Sequence, residues 1–225
     1  MIKNWKLGMK SIKYAYGIKM NVLVGIAFLA LAGVMYITKG QMILGLGGDY
    51  MLMCVALLPT QMIYSLSASN MVQTSTVRKK LQTSVPAMVT YGNMVIVYLV
   101  MILIRLATVF GHPEQMGRIG GELVVIAGLM MLFMVYLGVA YKYFMISIVF
   151  VIITVLIISP YNNIVENDLF GWVFFSRGWQ GIVLSAVLGL LLLTAGGVLQ
   201  YLVSLLIYRK PLSKMAQAAP LRKEM

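Results

Sequence analysis

From Leu123 to Ser159 the chain runs for 37 residues with a single charge, Lys142. One helix of that length would reach about 55 Å, whereas a bilayer's hydrocarbon core is about 30 Å thick. The run therefore divides into two spans with a tight reversal near Ala140-Tyr141-Lys142-Tyr143. A lysine between two tyrosines suits the membrane–water interface. Four further apolar runs occur: Val22 to Thr38, Tyr50 to Ser67 (with Pro59 and Gln61), Met94 to Phe110 (interrupted by Arg105) and Gly181 to Tyr208. The expectation is an all-α integral membrane protein with six transmembrane helices between residues 22 and 208, forming one domain over 1–225.

Composition excludes the rival classes. The chain is 61% apolar and 11% charged, with a formal net charge of +12. A soluble domain of this size could not bury so much apolar surface behind so few charges, and disorder requires low hydrophobicity. Nucleic-acid binding would explain the charge but not the oil. The lone Cys54 permits no intrachain disulfide, and the lone His112 builds no metal site. No nucleotide-binding or catalytic motif occurs, so no catalytic residue, metal or cofactor is expected on the chain and it is not expected to be an enzyme.

Sorting the charges by side accounts for the +12. With the N-terminus in the cytoplasm, 14 of 18 basic residues fall inside: Lys3, Lys6, Lys10, Lys13, Lys19, Arg78, Lys79, Lys80, Lys142, Arg209, Lys210, Lys214, Arg222 and Lys223. Lys39, Arg118 and Arg177 fall outside, as do Asp49, Glu114, Glu122, Glu166 and Asp168. This bias supports six spans with both termini inside.

Three segments stand apart from the spans. Residues 1–20 form a basic amphipathic helix whose apolar stripe is Ile2, Trp5, Met9, Ile12 and Tyr16, lying in the cytoplasmic interface. Its length and the continuation of the apolar run to Ile37 disfavour a cleaved signal. Thr74 to Pro86 is the largest internal cytoplasmic feature, a short helix bounded by Pro86. Pro160 to Trp179 is too aromatic for a plain loop and reads as outer interfacial or re-entrant helices. Residues 211–225 read as a poorly ordered cytoplasmic tail.

Among single residues, Arg105 either lines a cavity for an anionic or peptide substrate or, as the preferred reading, snorkels to the outer interface or pairs with Glu122 or Asp49. Pro59 and Gln61 read as a packing kink with a weaker claim to the translocation path. The 19 methionines read as core or lipid-facing filler before an adaptable peptide surface. Gly189, Gly196 and Gly197 mark close helix approach, either within the chain or at a dimer seam.

In this order the elements resemble the membrane subunit of an ABC-2 type ABC transporter. The elbow helix carries Trp5, Met9, Ile12 and Tyr16. The phrase Arg78-Lys79-Lys80-Leu81-Gln82-Thr83-Ser84-Val85-Pro86 falls where such permeases place a coupling helix. The polar-aromatic segment precedes the last span. The resemblance implies a half-size permease in the plasma membrane that pairs with itself or a sister permease. It implies two copies of a separate ATP-binding cassette ATPase, carrying ATP and Mg, contacted through Arg78, Lys79, Lys80, Leu81, Val85 and Pro86. Short permeases of this type in Gram-positive bacteria often export amphipathic peptides or confer immunity to them, which is the cargo class implied. A stand-alone channel, carrier or scaffold is the alternative; a carrier would be expected to hold intramembrane acids.

Overall fold

The structure, a computed structural model, describes residues 2–15, 17–38, 47–111, 116–140, 142–143 and 178–208. All regular structure among them is helical: α1 (Ile2–Ser11), a 3₁₀ turn (Ile12–Tyr14), α2 (Ile18–Thr38), α3 (Gly47–Ala68), α4 (Asn70–Gln73), α5 (Arg78–Gln82), α6 (Ser84–Gly111), α7 (Met116–Ala140) and α8 (Trp179–Tyr208). Five of these, α2, α3, α6, α7 and α8, are long and apolar enough to cross a membrane. The fold is that of a multi-pass membrane protein. The fifth of the six expected spans, the segment Pro160 to Arg177, Tyr16 and the tail 211–225 lie outside the described residues.

The spans α2, α3, α6 and α7 alternate in direction, α8 runs parallel to α7, and the helix ends sort by chemistry. The end of α2, the start of α3, the end of α6 and the start of α7 meet through Tyr36, Asp49, Arg105 and Glu122. At the opposite end, Lys142 follows α7 and reaches the last carbonyls of α8, while Arg78 of α5 lies over the Tyr208 ring. One end of the bundle is thus basic. The other gathers the two described carboxylates.

Core packing is close, and α7 and α8 lie parallel. The main cluster joins α3, α6, α7 and α8 around Tyr98, Met94, Met101, Leu123, Ile126, Met130, Met134 and Leu193. A Cβ at Gly196 would lie 3.0 Å from the Met131 Cα, and one at Gly138 would lie 3.2 Å from the Gln200 carbonyl. Without side chains at these positions the α7 and α8 backbones approach to contact. Gly197 faces Tyr91, and Gly189 faces the Tyr98 hydroxyl. Gly189, Gly196 and Gly197 therefore serve packing within the chain. The α2 helix is the peripheral span; Ala32 is its one buried residue among those whose side chains are described.

Several expected boundaries move. The third span begins at Ser84, ten residues before Met94, so α6 extends about 42 Å and projects beyond the apolar core. Pro86 does not bound the short basic helix. It occupies the first turn of α6, where its missing N–H costs no helical bond. The break falls at Thr83 (φ −123°, ψ −80°), whose hydroxyl and N–H both return to the Lys79 carbonyl. Val85 and Pro86 therefore belong to α6 and only Arg78 to Gln82 to α5.

α1, where an elbow helix of 20 residues was expected, covers only Ile2–Ser11, and its buried stripe is displaced by about one position. Trp5 and Ile12 pack inward with the buried Gly8 and Ala15, whereas Met9 is 38% exposed. A Cβ at Gly8 would meet Val85 at 2.9 Å and Ile63 at 3.2 Å. This glycine lets the helix backbone lie directly on α3 and α6. Trp5 and Ile12 of the apolar stripe thus pack on protein, while Met9 faces outward.

Candidate functional site

The basic end is a platform built around five buried side chains: Ile63, Val72, Leu81, Val85 and Val89. Trp5, Ile12 and Leu66 close it from α1, the 3₁₀ turn and α3. Leu81 (5% exposed) and Val85 (0%) face inward, so these two residues fix α5 against the bundle. The opposite face of α5 carries Lys79 and Lys80, both exposed, beside Val77. A five-residue helix has no stability of its own in water. Its inward apolar contacts are what hold it as a rigid protrusion.

Three elements meet at the rim of this platform. Lys142 donates from Nζ to the Ile207 carbonyl at 2.6 Å and the Tyr208 carbonyl at 2.8 Å. A cation on the last carbonyls of α8 satisfies acceptors that the helix leaves open and complements its negative end. The same ammonium lies 5.4 Å from the centre of the Tyr208 ring, and the Arg78 guanidinium carbon lies 5.9 Å from it. Burial, with the neighbouring Arg78 charge, pulls the Lys142 pKa down to about 8.

The opposite end holds a charged clamp. Arg105 Nη2 donates to Asp49 Oδ2 at 2.6 Å, and Nη1 lies 2.9 Å from Glu122 Oε2. The Tyr36 hydroxyl donates to the other Asp49 oxygen. The guanidinium ties α6 to α3 and α7, Tyr36 adds α2 through Asp49, and Asp49 is only 2% exposed. Both acids sit within helices that qualify as spans, close to the ends of those spans. Their burial is tolerated because each carboxylate meets Arg105.

Between the two ends runs a polar layer. Thr90 donates to the Pro86 carbonyl and its oxygen accepts from Thr60 at 2.8 Å and from Gln200 Nε2 at 3.1 Å. Gln200 is fully buried, as are Thr60 and Thr90. Side-chain bonds of this kind join α3, α6 and α8 where no water competes.

The structure brings Arg78, Lys79, Lys80, Leu81, Val85, Pro86, Trp5 and Ile12 to one end. It does not bring Arg105 together with Pro59 and Gln61. Asp49, the partner of Arg105, lies twelve residues before Gln61 on α3, about 18 Å along the helix axis. Gln61 is exposed on the outside of α3, and Pro59 is half-buried within an unbroken helix. Tyr36, Tyr208, Thr90 and Gln200 were not singled out by the sequence. For Gln200 a signal existed, since it is an uncharged polar residue deep in an apolar run. Among the described residues no group of three or more His, Cys, Asp or Glu could hold a metal ion. Comparison with family models, curated proteins and solved structures finds no match to this chain.

Proposed function

We propose that the chain is the membrane-spanning subunit of an ATP-driven exporter, coupled to a separate ATPase through α5. The observation that carries this reading is the construction of α5 itself. Leu81 and the adjoining Val85 anchor it to α3 and α6, Arg78 rests on the end of α8, and Lys79 and Lys80 point outward. A push on its outer face reaches three spans without passing through a flexible loop. Charge bias puts this end in the cytoplasm, where an acidic groove on an ATPase would meet it.

On this reading two ATPase copies supply ATP and Mg, and the permease works as a homodimer or with a sister chain. Amphipathic peptides or other hydrophobic compounds are the cargo class, leaving through a path formed with the second permease. Purification of the full chain from its native membranes tests this. ATP hydrolysis by a co-purified subunit bearing a Walker A motif is expected; a pure preparation of this chain alone, with no ATPase, counts against it.

A second reading has one observation in its favour. Asp49 and Glu122 are buried acids inside span helices, which an ion-coupled carrier needs. Substrate uptake by the chain alone in liposomes, driven by an ion gradient and without ATP, would favour that carrier.

A further inference from the structure

We propose that a second copy of this chain docks on the exposed face of α3, with the two Gln61 amides paired across a two-fold axis. Among the described side chains of α3, Gln61 and Ser65 are the exposed ones, and they lie about one turn apart on one face. Neither has a hydrogen-bond partner among the described residues. Exposed polar groups elsewhere on the spans are satisfied locally. Thr194 on α8 returns its hydroxyl to the Leu191 carbonyl. Gln61 and Ser65 make no such bond.

Depth keeps water from relieving Gln61. The span runs from Gly48 to Ala68, so Gln61 lies seven residues from its inner end, about 10 Å inside it. Helical side chains lean toward the helix N-terminus, which for α3 is the distant Asp49 end. The amide therefore leans toward the middle of the bilayer and away from the nearer interface. Hydrocarbon offers it neither donor nor acceptor, and an amide left unsatisfied there is costly.

A second copy meets this need by symmetry. An amide is donor and acceptor at once, so two equivalent amides satisfy each other. Copies inserted in the same orientation are related by a two-fold axis along the membrane normal, which brings equal residues to equal depth. Ser65, small and one turn nearer the basic end, lets the two α3 backbones approach and adds a second polar rung. The inference rests on the homodimeric form of the reading above and names its seam.

The test uses the full chain in its native membranes. Cys54→Ala removes the one native cysteine, and Ser65→Cys places a thiol beside the intact Gln61. Mild oxidation should give a disulfide-linked dimer. Leu206→Cys, at an exposed leucine near the basic end of α8, should give none. Association of the purified chain is then read by energy transfer between labelled copies in micelles. Gln61→Leu should weaken it at least about fivefold, the scale of an interhelical side-chain hydrogen bond in a membrane. Gln61→Asn, which keeps an amide, should retain most of it. The leucine variant alters an exposed side chain, so its helicity and unfolding midpoint should match the parent chain. Cross-linking at Leu206→Cys instead of Ser65→Cys, or an adduct with a different polypeptide, would overturn the proposal. So would labelling of Ser65→Cys by a water-soluble maleimide without a dimer, or unchanged association of Gln61→Leu. Co-purification of an ATPase is independent of all these outcomes and tests the exporter reading separately.

Discussion

Arg105 on α6 and Asp49 on α3 meet at 2.6 Å, with Tyr36 and Glu122 completing a clamp across four spans. Removing the cation leaves two buried carboxylates facing each other. Arg105→Gln should therefore lower the unfolding free energy by about 3 kcal/mol or more, the range for breaking a buried pair. Neutralising the whole cluster, with Arg105→Gln, Asp49→Asn and Glu122→Gln together, should recover much of that loss. Denaturant titration in micelles measures both. A single variant as stable as the parent chain would remove the clamp's structural role.

The glycine at 189 faces a fully buried tyrosine, Tyr98, whose hydroxyl donates to the Leu123 carbonyl at 3.3 Å. A methyl group at 189 would overlap that ring, and the ring has no space to withdraw. Gly189→Ala should cost about 1–3 kcal/mol, the usual range for overpacking. Adding Tyr98→Leu should make the alanine nearly neutral relative to Tyr98→Leu alone. The double-mutant cycle checks the pairing, and simple additivity would contradict it.

Lys142 supplies a pH signature. Its folded pKa, about 8, lies below its ordinary value of 10.5. Between these values the unfolded chain binds the proton and the folded chain does not, so stability rises with pH across that window. The rise is absent below about 8 and complete above about 10.5. Its slope is at most about 1.4 kcal/mol per pH unit for one proton. Lys142→Met should flatten the slope in this window. Unfolding titrations at pH 7.5, 9 and 10.5 read it, and a slope that survives Lys142→Met would assign it to another group.

The spans were legible because membrane burial is a property of composition over about 20 residues, independent of partners. The end of the fourth span was legible for the same reason, since α7 ends at Ala140 and Lys142 follows in a turn; the expected fifth span lies outside the described residues. Arg105 was legible as a residue requiring a carboxylate, and the structure supplies both candidates at once. Tertiary choices were not. The stripe through Trp5 and Met9 is apolar on either register, and Gly8, which decides the contact with Val85 and Ile63, carries no hydropathy signal. The Thr60–Thr90–Gln200 layer depends on three helices meeting at one level, which no single run encodes. Pro86 was ambiguous in principle, because proline ends one helix and begins another with equal ease.

The exporter reading rests on α5 acting as a rigid contact for an ATPase, and one comparison tests it most directly. ATP hydrolysis is measured for the complete complex in nanodiscs, with the parent chain and with Lys79→Glu/Lys80→Glu. These lysines are exposed and touch no core residue, so the variant should insert and assemble its own spans normally. Its ATP hydrolysis should lose the response to cargo, and less ATPase should co-purify with it. Full cargo-stimulated hydrolysis by the charge-reversed variant would contradict coupling through α5.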